Sequence, residues 1–175
     1  MLAAARRRAA RTVTSQPVGH RGLHWDAPLL HADGVAPDPR RSAEALVPGV
    51  AAAGVFGIQD PGLAGALVGA SRVAGPPLAT PVLLAVSGAA IHVLDWDHAT
   101  GSAQELARFD RPTTWASVED RGSARRLTLR ASSGYVLPLT CTVSRAHPYG
   151  AGARAVLATL APGRPGIPSA ASALK

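Results

Sequence analysis

Apolar positions along this chain come as unbroken runs in some segments and alternate with polar positions in others. Val50 to Ile58 is small and apolar throughout, a strand pattern. Val82 to Val86 is an uninterrupted aliphatic run, as a buried strand requires. Ser87-Gly88 supplies a tight turn, and Ile91 to Leu94 is the returning strand. Alternation puts Ile91, Val93 and Asp95 on one face of the return and His92, Leu94 and Trp96 on the other. Asp97 to Gly101 (DHATG) has the composition of a turn. Gln104 to Phe109 and Thr113 to Val118 read as strands interrupted by Pro112, with a turn at Asp120-Arg121-Gly122. Arg125 to Arg130 (RRLTLR) alternates strictly. Leu127 and Leu129 share one face, and Arg126, Thr128 and Arg130 the other, the mark of a half-exposed antiparallel strand. After Ser132-Ser133-Gly134, Tyr135 to Val143 is a strand that Pro138 assigns to an edge or a bulge.

Helical spacing is scarcer. Residues 2–14 have helix propensity from Ala, Leu and Arg, but the arginines at 6, 7, 8 and 11 spread over a broad arc. Ser42 to Val47 reads as one turn capped by Ser42. Gly62 to Val73 places Leu63, Ala66, Leu67 and Ala70 on one face, and Ala151 to Leu160 does the same for Val156, Leu157 and Leu160. The sum is about six short antiparallel strands followed by one short helix. It predicts a mainly β (α+β) fold: a meander, a sandwich or a partly open barrel closed by the C-terminal helix. The organisation expected is a flexible basic arm over 1–42, a single β-rich domain over 43–160, and a disordered tail over 161–175. Trp25, Leu29 and Leu30 are the residues that would anchor the arm.

Composition narrows this picture. Of 175 residues 47% are hydrophobic, but many of these are Ala, and aromatics are only 4%. The core is therefore built from Val, Leu and Ile. The formal net charge is +7, carried almost wholly by Arg. GC-rich coding also writes Arg, Ala, Gly and Pro, so the charge alone supports only weak, non-specific attraction to polyanions. The single cysteine, Cys141, excludes an internal disulfide and a thiolate metal site within one chain, and fits a reducing, cytoplasmic interior. Ala45 to Ile58 is uncharged but too short to span a bilayer, which needs about 20 apolar residues. The N-terminal MLAAARRRAARTVTSQP lacks the apolar region of a secretory signal. It has the Arg-rich, acid-free composition of an organellar transit peptide, which GC-rich coding produces as well.

The candidate chemistry is sparse. Asp95, Asp97 and His98 lie within four residues at a strand end, where oxygens can hold a divalent cation, but the same residues suit a turn. His20 and His24 have i, i+4 spacing, but Pro17, Gly19 and Gly22 oppose the helix that would align them with each other, and His31 stands further along the arm. Cys141 has His147 near it in sequence and reads as a buried inert thiol. No phosphate loop of standard spacing occurs. The remaining constellation is basic. Arg121, Arg125, Arg126 and Arg130 surround one hairpin as candidate anion contacts, and with Trp115 or Tyr135 they can grip a phosphate or a base.

The stretch LLAVSGAAIHVLDWD resembles the first hairpin of pleckstrin-homology-like domains in their bacterial PH and GRAM-type versions, including uncharacterised actinobacterial proteins that carry such a hairpin. RRLTLRASSGYVLPLT is similar to the late hairpin of those domains, and GARAVLATL to their terminal helix. The resemblance covers about residues 81–160 and rests on generic β patterns. It implies a binding scaffold, not an enzyme. At the first turn Ser87-Gly88 replaces a Thr-Asp/Glu-Arg type of sequence, so the basic residue that would meet a phosphorylated headgroup is missing. The expectation is a non-enzymatic binding or interaction module with no cofactor, no metal and no transmembrane segment, its partner an unidentified protein or an anionic surface. The alternative is a weak nucleic-acid or anionic-membrane binder working through its arginines.

Overall fold

The computed structural model describes residues 37–74 and 78–161. Most of the basic arm, with His20, His24, His31, Trp25, Leu29 and Leu30, lies outside the described residues, as does the tail after Ala161. The described residues form a seven-stranded, wholly antiparallel sheet with three short α-helices. The strands are β1 (Ala52–Ile58), β2 (Thr80–Val86), β3 (Ala90–Trp96), β4 (Ala103–Asp110), β5 (Thr114–Arg121), β6 (Ala124–Ala131) and β7 (Val136–Thr142). Their order across the sheet is β4-β3-β2-β1-β7-β6-β5, two meanders joined where β1 meets β7. The helices are α1 (Pro39–Glu44), α2 (Pro61–Val68) and α3 (Gly150–Leu160).

Local chemistry sets the helix starts. Asp38, not Ser42, caps α1: its carboxylate accepts from the Arg40 N–H at 2.9 Å, and Pro39 occupies the first helical position. Ser42 instead accepts a hydrogen bond from the Trp96 indole at 3.1 Å, so its hydroxyl is a tertiary contact. Asp60 caps α2 through the N–H groups of Gly62 and Leu63, again with Pro at the first position. That helix stops at Val68 because Gly69 turns to φ 85°, and Ala70–Arg72 continue only as a 3-10 turn. The expected face of α2 is corrected accordingly: Leu63, Ala64, Leu67 and Val68 meet the core, while Ala66 and Ala70 are exposed.

Two turns shift by a residue from their expected places. The β2–β3 register leaves Gly88-Ala89 as the loop, with the buried Ser87 hydroxyl accepting from the Ala90 N–H at 3.1 Å. Asp120 and Arg121 belong to β5, and Gly122-Ser123 make the β5–β6 loop, with Gly122 at φ 73° as a primed hairpin turn requires.

Pro138 does not put β7 at an edge. β7 lies between β1 and β6. The Ala131 N–H donates to the Tyr135 carbonyl and the Val143 N–H to the Ser123 carbonyl, which fixes the parity of the β6–β7 ladder. By that parity Pro138, opposite Thr128, needs no N–H toward β6, and β1 pairs with β7 only at Gly57–Thr140. The missing donor faces a gap, so a proline is tolerated at the centre of the sheet.

A buried residue from every strand but β5 enters one core cluster, including Phe56, Leu84, Ile91, Phe109, Leu127, Leu129, Leu137 and Leu139, together with Ala153, Val156 and Leu160 of α3. A second cluster on the opposite face of β1–β3 joins Val55, Leu83, Leu94 and Trp96 to Ala43 and Val47 of the α1 region and to Tyr149. Helix α3 crosses β1 at contact distance. A Cβ on Gly54 would stand 2.5 Å from the carbonyl carbon of Gly152, and one on Gly152 would stand 2.7 Å from the Ala53 oxygen. Two arginines fasten that helix. Arg154 donates to the Val143 carbonyl at 2.6 Å, and Arg111 donates to both Ser87 and Thr159 carbonyls at 3.3 and 3.1 Å.

Candidate binding surfaces

In the Asp95-Trp96-Asp97-His98 stretch, Trp96 and Asp97 have structural roles. Trp96 is buried, bonded to Ser42 and set edge-to-face on Tyr149 at 5.7 Å. Asp97 closes the following turn by accepting from the Ala99 N–H at 2.8 Å and the Thr100 hydroxyl at 3.0 Å, and these bonds hold its carboxyl below the usual range. Among the described residues no group of three or more His, Cys, Asp or Glu side chains is placed to hold a metal ion.

Cys141 is buried in the core cluster, and burial pushes its thiol up to about 11, away from the thiolate that nucleophilic chemistry needs. His147 accepts the Tyr149 N–H on Nδ1 at 3.2 Å, and burial lowers its basicity. Buried His92 pairs Nδ1 with the Glu105 carboxylate at 2.7 Å, a cross-strand contact that strand alternation alone does not reveal.

The four arginines of the late hairpin separate by face. Arg125 shares the inner parity of Leu127 and braces the turn, forming an ion pair with Asp120 at 2.9 Å and donating to the Gly122 and Ala124 carbonyls. Arg121 is paired with Glu119 at 3.0 Å. Arg126 and Arg130 stand exposed on the outer face, as alternation predicts. In register, Arg130 lies between Trp115 of β5 and Val136 of β7, and Arg126 between Glu119 and Thr140. Trp115 is 62% exposed, the most exposed large apolar side chain among the described residues. Tyr135 does not join this face: it packs its ring on Phe109 at 5.7 Å. The outer face of β5–β7 thus combines an open aromatic plane with two guanidinium groups that carry no carboxylate partner among the described residues.

A second feature has no signal in the sequence. Where β1 and β7 part, α1 and α3 roof a cavity of about 460 Å³. It is lined by Ala52 to Val55 of β1 and by Pro37, Arg40, Tyr149 and Gly152. Arg40 is held by Glu44 at 2.7 Å, and burial raises the Tyr149 hydroxyl pKa above its ordinary value. The volume suits a small molecule. Three segments far apart in the chain, around α1, β1 and the start of α3, meet to form the cavity, a tertiary event that no local pattern encodes.

Among the described residues no helix is long and apolar enough to cross a membrane. No family model matches the chain, and neither the curated proteins nor the solved structures give a significant match.

Proposed function

We propose that the chain is a non-enzymatic binding module of the pleckstrin-homology-like type, and that it makes contact through the outer face of β5–β7. The observation that carries this reading is the pairing of architecture and open surface. A seven-stranded antiparallel sheet of two joined meanders is followed by one helix laid across β1, and Trp115, Arg126 and Arg130 stand uncovered on the late strands. Folds of this kind act as scaffolds, and the ligand is set by the exposed residues, not by the topology. The partner on this reading is a protein surface that buries Trp115 and pairs the two guanidinium groups. A reducing cytoplasmic location accords with the buried free thiol of Cys141.

A second reading, weak binding to nucleic acid or an anionic membrane, is favoured by the same Trp115–Arg130 adjacency, since an aromatic plane beside a guanidinium suits a base and its phosphate. Salt separates the two. Two arginines neutralising two phosphates give a loss of about tenfold in affinity between roughly 50 and 200 mM salt. The test replaces Trp115 by a photo-crosslinking residue in the full chain in cells, and titrates the purified chain with phosphatidylserine vesicles and a single-stranded oligonucleotide at both salts. A protein adduct lost on Arg130→Glu supports the first reading. Salt-sensitive binding to vesicle or oligonucleotide, lost in the same variant, supports the second. No adduct and no binding would sink both.

A further inference from the structure

We infer that β5 is a self-association edge, and that a second copy of this chain pairs its own β5 antiparallel to the first about a twofold axis at Val118. The two outer strands of the sheet differ in how they meet solvent. On β4 the ladder to β3 shifts between Val93 and Leu94, and its charged residues Glu105, Arg108 and Asp110 are spread along the strand, whereas the three of β5, Glu119, Asp120 and Arg121, gather at its C-terminal end. A bulge and charges are the usual means of blunting an edge. β5 pairs with β6 through eight consecutive positions without a shift, contains no proline, and leaves Trp115 and Val118 exposed at 62% and 43%.

The backbone says which groups are free. The Ser132 N–H donates to the Thr113 carbonyl, so odd-numbered residues of β5 bond to β6, and Thr114, Ala116, Val118 and Asp120 turn their N–H and C=O groups outward. An antiparallel twofold at Val118 puts Val118 against its own copy and Ala116 against Asp120, joining outward groups to outward groups. On the other face the same register sets Trp115 opposite Arg121 and Ser117 opposite Glu119. No like charges face each other, the exposed Trp meets a guanidinium, and the exposed Val meets an apolar side chain. Registers centred on Glu119 or Asp120 would set two carboxylates face to face. Edge pairing of one strand buries less than a permanent dimer needs, so the association is weak and reversible. It would align two outer faces side by side in one continuous sheet. The pairing depends on the edge alone, independently of what that face binds.

The experiment is sedimentation of the full chain from about 1 µM to about 1 mM, where a shift from monomer to dimer is expected. Val118→Lys places two ammonium groups on the axis and weakens dimerisation by at least about 100-fold. Val118→Pro removes an outward N–H without removing a β5–β6 bond, and also leaves a monomer. Circular dichroism identifies a variant that fails to fold, and Val118→Cys serves in that event. Under mild oxidation the Val118→Cys chain crosslinks to its copy through the new thiol, whereas the Asp120→Cys chain, its thiol off the axis, does not. Cys141 is buried and stays out of this reaction. A monomer throughout the range overturns the proposal. So does a dimer that persists in folded Val118→Lys, or faster crosslinking of the Asp120→Cys chain than of the Val118→Cys chain.

Discussion

Strands β1 to β3 are buried on both faces, whereas β5 to β7 are buried on one. In β1 all seven residues are buried and in β3 all but Asp95, because α3 and the core lie on one side and α1 with Tyr149 on the other. In β6 and β7 the buried residues alternate with half-exposed and exposed ones, and in β5 none is fully buried. The difference follows from where the helices pack. A sheet face covered by a helix must be apolar, and a face left to solvent must not be. The doubly covered half carries core on both of its faces, and the singly covered half carries the accessible Trp115, Arg126 and Arg130.

The largest expected effect tests the close crossing that makes double coverage possible. Gly54→Val forces a side chain into the Gly152 backbone, where no rotamer can give way, and a loss of about 3 kcal/mol or more in chemical denaturation is expected. A stable Gly54→Val variant would mean that α3 does not lie on β1. The next compares the outer faces directly. Leu94→Ala on β3 opens a cavity in the outer cluster and is expected to lose about 3 kcal/mol, whereas Thr128→Ala on β6 stays within about 0.5 kcal/mol of the parent. Equal losses would erase the contrast between the halves.

Arg111→Met removes the guanidinium that ties the β2–β3 turn to the last turn of α3. A loss of about 1–2 kcal/mol is expected, reduced at high salt only slightly because the group is partly buried. The smallest effect concerns Cys141. Its folded thiol is raised from 9.0 to about 11, so both folded and unfolded chains hold it neutral below pH 9 and the contribution is complete there. Above that pH the unfolded chain ionises first, and stability falls as pH rises toward about 11. In the same way a thiol reagent at about pH 8, below the thiol's ordinary range, leaves the native protein unmodified and reacts on unfolding. Rapid native labelling would show that the β7 side of the core is open.

Much of the architecture is legible in the sequence because strand patterns are local. The RRLTLR alternation places Leu127 and Leu129 inward and Arg126 and Arg130 outward, as the structure has them. The Val82–Val86 and Ile91–Leu94 runs mark a hairpin whose loop lies one residue later than the turn residues suggest. What misleads is chemistry that serves more than one purpose. Ser42 has the right type for a cap, but Asp38-Pro39 is the stronger signal and Trp96 claims the Ser42 hydroxyl. Pro138 argues for an edge, yet parity turns its nitrogen toward a gap. Tyr135 stands near the arginines in sequence and is drawn away from them by Phe109.

By itself the sequence determined the antiparallel character of the chain, the approximate positions of its turns and the shared outer face of Arg126 and Arg130, since period-two alternation and turn chemistry act between neighbouring residues. Only the tertiary structure decided that β1 and β7 join the two meanders at one residue pair, that α3 crosses β1 over paired glycines, and that a cavity opens beside that crossing. Those are contacts between residues far apart in the chain, fixed by shape and packing density, and no local period carries them.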